Sequence, residues 1–76
     1  MGSLRVQSAV VYIALLGDGT RVWRPVNAIL VADGIYRLAG QIPEGESWQF
    51  APGSVVRCMP HVFSDGEHGL VTVERL

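Results

Sequence analysis

Glycine-centred turn signals punctuate this chain at short intervals: Gly17-Asp18-Gly19, Asp33-Gly34, Pro43-Glu44-Gly45, Pro52-Gly53 and Ser64-Asp65-Gly66. Between them lie short segments rich in Val, Ile, Tyr and Trp, and no segment keeps a helical period over ten or more residues. This spacing predicts an all-β meander of five or six short strands closing into a small barrel or sandwich. At 76 residues the chain reads as a single domain, 1–76. Met1-Gly2-Ser3 matches a cloning remnant and carries no weight.

The first strand is expected over about Gln7–Leu16. It is apolar on both alternating sets, with Val10, Tyr12, Ala14 and Leu16 on one and Val11, Ile13 and Leu15 on the other. A strand apolar on both faces is buried on both faces, so one face meets the core and the other a covering segment or a partner chain. A second strand is expected over about Thr20–Val31. Pro25 within it has no N–H to donate, which predicts a sheet edge or a bend at that point. Asp33-Gly34 predicts a two-residue hairpin turn into Ile35–Gln41. Trp48-Gln49-Phe50 reads as a very short strand or bend, and Ser54–Met59 and Leu70–Leu76 as the last strands.

Apolar residues make up 49% of the chain, more than one small barrel readily hides, which predicts a homo-oligomer. The formal net charge of −1 lacks the basic footprint of a phosphate-backbone binder. All six basic residues are Arg. The longest apolar run, Ala9–Leu16, is far short of the roughly 20 residues of a membrane helix, and no secretory leader pattern is present. The single Cys58 excludes an internal disulfide and fits a reducing compartment. The expectation is a soluble, cytoplasmic protein.

The segment Phe50-Ala51-Pro52-Gly53-Ser54-Val55-Val56-Arg57-Cys58, a Pro-Gly turn leading into an alternating strand, resembles a strand entry in small Src-homology-3-like barrels. The wider pattern, Gly-Thr-x-Val-Trp-Arg-Pro-Val followed by Glu-x-Trp-x-Phe-x-Pro-Gly, looks like that of short bacterial proteins. Pro52-Gly53-Ser54-Val55 is also similar to a segment of type B dihydrofolate reductases. The Gln-Ile-Tyr that follows there and lines the pore is replaced here by Val56-Arg57-Cys58, so that activity is not carried over. The resemblance implies the expected fold, a small Src-homology-3-like barrel, and no chemistry.

Arg21, Trp23, Arg24, Tyr36 and Trp48 are the candidate binding residues, with Tyr12 beside them, because aromatic rings with a polar handle and stacking guanidinium groups anchor contact surfaces. Trp23 and Trp48 have a second reading as plugs of a small core. No catalytic residue, cofactor or metal is expected. Only Cys58-x-x-His61 has a ligand-pair spacing, whereas structural zinc takes four ligands. Cys58 on an alternating strand shares a face with Val56 and Pro60, the setting of an inert thiol. Glu44 and Glu46 lie in a polar loop, as solvated carboxylates do. The expected function is a non-enzymatic module binding a protein segment or its own copy. The alternatives are a barrel for single-stranded nucleic acid and a small enzyme with a pocket between subunits.

Overall fold

The computed structural model describes residues 7–17 and 22–76. Five strands follow in chain order: β1 (Ser8–Leu15), β2 (Val22–Ala32), β3 (Ile35–Leu38), β4 (Val55–Val62) and β5 (His68–Arg75). They form a closed barrel in the order β1-β2-β3-β4-β5. Successive strands pair antiparallel, and the ring closes where β1 meets β5 in parallel at Tyr12 and Val71. The all-β meander read from the sequence is therefore the fold. Among the described residues no helix is long and apolar enough to cross a membrane.

The strand ends differ from the sequence expectation in two places. β3 stops at Leu38 instead of running on to Gln41, because the chain leaves β2 after Ala39 N–H donates to Asn27 O at 2.9 Å. β4 continues past Met59 through Pro60 to Val62. Pro60 is tolerated there because β3 pairs with β4 only up to Arg57, so one flank of β4 has no strand beside it at Pro60. Pro25 obeys the same rule. It faces Tyr12 of β1 without interrupting the pairing, and β3 joins β2 only from Ala28 onward. The predicted edge at Pro25 is thus present on its β3 side, where a missing N–H also denies pairing to an incoming strand.

At the β2–β3 hairpin Gly34 takes a φ of 74°, while no described residue other than glycine has a positive φ. Asp33 thus stays in ordinary space, and the turn is completed by a bulge at Val31 between the Leu30 and Ala32 pairings. A second register shift leaves Val73 of β5 unpaired between Thr72, opposite Cys58, and Glu74, opposite Arg57.

Inside the barrel pack Val11, Ile13, Val26, Ala28, Leu38, Trp48, Val56 and Cys58, backed by Leu15, Tyr36, Phe50 and Leu70. Trp48 enters this core from the β3–β4 connection, held by a single bridge to Leu15. Next to it Gln49 mends the seam where β1 and β5 diverge. Its N–H donates to Ala14 O at 2.9 Å, and its Oε1 accepts from Thr72 Oγ1 at 3.0 Å and Ala14 N at 3.4 Å. The buried Thr72 hydroxyl is thereby satisfied, as a polar group at 2% exposure requires.

Candidate functional site

Side chains alternate across a strand, so the inward set of β1 and β2 fixes the outward one. Val11 and Ile13 point into the core, which turns Tyr12 and Ala14 outward; across the ladder, Pro25 faces Tyr12 and Trp23 faces Ala14. On β4, Cys58 is inward and Met59 and His61 are outward, with Val71 of β5 opposite Met59. The outer side of β2, β1, β5 and β4 consequently gathers rings from distant parts of the sequence. Tyr12 and Phe63 have centroids 4.7 Å apart, His61 and Phe63 4.9 Å, Trp23 and His61 5.5 Å, and Trp23 and Phe63 6.3 Å. Interplanar angles of 51–66° are the tilted and edge-on arrangements that ring quadrupoles favour.

Gly69 makes this layer possible. A Cβ there would stand 2.8 Å from Phe63 Cε2 and 2.9 Å from Tyr12 Cε1, so both rings lie on bare backbone. Ala14 and Val71 face outward yet are only 8% and 6% exposed. The second apolar face of β1 thus meets a covering built from the chain's own rings and Gln49, which absorbs part of the apolar excess noted in the sequence. Val10 and Leu16 of the same set remain exposed.

Beside the rings runs a shallow groove of about 420 Å³ lined by Trp23, Met59, His61, Val71, Val73 and Gln49. Met59 and the bulge residue Val73 are 52% and 41% exposed there, and among the described residues no carboxylate or guanidinium lines the groove.

The candidates named from the sequence fall in different places. Trp23 lies on this outer face, partly buried. Arg24, its neighbour on β2, projects to the opposite side and meets the β3–β4 connection. There its Nη2 pairs with Glu46 Oε2, its Nε donates to Glu46 Oε1 at 3.1 Å, and Trp48 Nε1 donates to the same oxygen at 3.1 Å. Trp48 itself is a buried plug, and Tyr36 packs against the core. Arg21 lies outside the described residues. The structure therefore joins Arg24 with Trp48 through Glu46 and sends Trp23 elsewhere. Phe63 and His61 were missed as ring partners of Trp23. The available signal was parity on β4, which puts His61, and by continuation Phe63 just past the strand's end, on the face that Cys58 does not occupy.

A second groove, of about 310 Å³, opens at the β2 edge between Pro25, Asn27 and the Gly40–Pro43 stretch. Its one cation is Arg24, already bound by Glu46, and its aromatic, Trp48, shows only 8% of its surface. The outer aromatic face therefore offers a partner more apolar contact.

The Arg24 guanidinium holds the Glu46 carboxyl below its ordinary value near 4.5, partial desolvation opposes this, and the Trp48 indole N–H adds to the lowering. A carboxyl lowered in the folded state stabilises the fold above its ordinary titration, and that contribution is lost as pH falls through the lowered folded value. Acid unfolding of Glu46→Gln should accordingly show a shallower loss of stability below about pH 4.5 than the parent chain. Equal slopes in urea melts at stepped pH would refute the coupling.

Cys58 and His61 occupy opposite faces of β4, so no thiol–imidazole or metal pair is assembled between them. Among the described residues no cluster of three or more potential metal ligands is present. Burial pushes the Cys58 thiol up to about 11. Its reaction with a disulfide reagent at pH 8 should run about a hundredfold slower in the native chain than in denaturant. Comparable rates would show the core opening freely.

No family model, curated protein or solved structure matches this chain.

Proposed function

We propose that this chain is a non-enzymatic interaction module, built as a Src-homology-3-like small barrel, whose contact surface is the outer aromatic face carrying Trp23, His61, Met59 and Val73. The observation that supports this most is a groove that no charged side chain lines among the described residues, with two large apolar side chains in water beside a layer of packed rings. Contiguous exposed apolar surface on a soluble chain marks a contact site, and anchored rings supply contact area at low entropic cost. Trp23 remains the centre of the reading, and Tyr12 and Phe63 hold the platform. Arg24 and Trp48 serve the barrel end and Tyr36 the core. The partner is a protein segment or another copy of the chain. Among the described residues no guanidinium lines this groove to meet phosphates, which favours a protein segment over single-stranded nucleic acid.

Selection of displayed peptides against the immobilised chain, followed by calorimetric titration, tests the reading. Selected peptides should bind with Kd values on the order of 10–100 µM, and Met59→Asp or Val73→Asp should weaken them at least about tenfold. Arg37→Ala, on β3, should leave them unchanged. Recovery of no peptide from a chain that also fails to self-associate would overturn the proposal, as would binding indifferent to both Asp substitutions.

A further inference from the structure

We infer that Met59 is an oxidant-sensitive position of the groove: a hydroperoxide converts its thioether to the sulfoxide in the folded chain before it reaches the Cys58 thiol, and the new S=O group weakens the hold on an apolar partner. The first half follows from the fold alone, and the second rests on the interaction reading above. Cys58 and Met59 are neighbours on β4, and strand alternation sends their two sulfur atoms to opposite sides of the sheet. Cys58 is 6% exposed, packed in the core with Val11, Ile13 and Val56. Met59 is 52% exposed at the groove, opposite Val71 of β5.

In an unfolded chain the order is the reverse, because a thiolate is the stronger nucleophile and a small fraction of an ordinary thiol is ionised near neutral pH. Burial pushes the Cys58 thiol up to about 11, which leaves it about a hundredfold less thiolate at neutral pH than an exposed thiol holds. Its closed surroundings also keep peroxide away. A thioether has no proton to lose, so its reaction follows exposure. The sulfur lone pair attacks one peroxide oxygen; the S–O bond forms as the O–O bond breaks, and the proton on the attacked oxygen passes to the departing hydroxide, giving water. Sulfur is oxidised by two electrons and the peroxide is reduced by two. Sulfoxide reductases reverse the change, one enzyme for each epimer; the oxygen leaves as water while two thiols of the reductant close to a disulfide. Oxidation thus replaces a flexible apolar side chain by a polar one, in a groove whose apolar surface comes from Trp23, Val71 and Val73. A partner matched to the thioether must then desolvate a polar oxygen without offering it a donor, which costs affinity.

Hydrogen peroxide added to the full folded chain near neutral pH tests the order, with timed samples unfolded, alkylated and mapped by fragmentation mass spectrometry. Met59 should gain one oxygen while Cys58 still accepts the alkylating reagent, and in denaturant Cys58 should be consumed first. Met1, outside the described residues, is read on its own peptide. Loss of Cys58 ahead of Met59 in the folded chain overturns the inference, as does a Met59 oxidised at least about tenfold more slowly folded than unfolded. For the second half, peptides selected as above should bind the oxidised chain at least about threefold more weakly at an unchanged melting temperature, and sulfoxide reductases with dithiothreitol should restore them. Met59→Leu keeps the volume and lacks the oxidisable sulfur, so its binding should not respond to peroxide. Equal weakening of Met59→Leu, or an oxidised chain that binds as before, overturns the effect on the partner. Recovery of no peptide from a chain that does not self-associate removes the interaction reading together with that effect, and the order of oxidation then stands or falls on the mass map.

Discussion

Gly69→Ala is expected to destabilise the chain by about 1–3 kcal/mol, the range for forcing extra volume into a packed site. The sign is the informative part. Gly69 is in β5 without a positive φ, and at such a position the change to Ala normally stabilises by about 0.4–1 kcal/mol through the unfolded chain. Here the new Cβ meets Phe63 and Tyr12 at under 3 Å, and each ring is blocked from retreating by the other, by His61 or by Trp23. Chemical denaturation reads the difference directly. In a Phe63→Ala background the penalty should fall by about half or more, because the nearest obstacle is gone and the two changes are coupled through one contact. A neutral or stabilising Gly69→Ala would mean that the rings are not held on the backbone.

Trp48→Ala should cost about 3–5 kcal/mol, the usual price of removing a buried large aromatic. A domain of this size holds on the order of 4–11 kcal/mol in all, so the variant should melt near or below ambient temperature. Two losses combine: the plug of a core whose fully buried members are Ile13, Leu38, Val11 and Val56, and the indole donor to Glu46, which also anchors Arg24. Trp48→Phe separates them. It keeps most of the volume and removes only the hydrogen bond to a carboxylate, worth about 1.5–3 kcal/mol, and it should remain folded at 25 °C. A Trp48→Ala chain as stable as the parent would place Trp48 outside the core.

Much of this architecture was legible because it depends on local chemistry. The turns at Asp33-Gly34 and Ser64-Asp65-Gly66 join β2 to β3 and β4 to β5, and Pro25 marked an edge, since each of these follows from one residue's φ or missing N–H. The two-faced apolar pattern of β1 also pointed to a second covering. What supplied that covering was not legible. Trp23 reaches His61 and Phe63 across nearly forty residues of chain, and that meeting depends on the closing pair Tyr12 and Val71 and on the length of β4, neither of which leaves a local trace. The assignment of Trp23, Arg24, Tyr36 and Trp48 to one surface conflicted with a rule already in hand, because adjacent strand residues face opposite ways. Gly69 carries no turn signal, since its role is the volume it leaves to two rings rather than a backbone angle.

The most direct measurement of the contact surface is a dilution series of amide and indole NMR spectra of the uniformly labelled chain, from about 500 to 10 µM. Concentration-dependent shifts should concentrate at Trp23, Met59, His61, Val71 and Val73 and leave Trp48 and Tyr36 unmoved. Shifts confined to the Arg24–Trp48 end, or to the Val31 hairpin, would contradict the assignment of the outer aromatic face as the surface this protein uses.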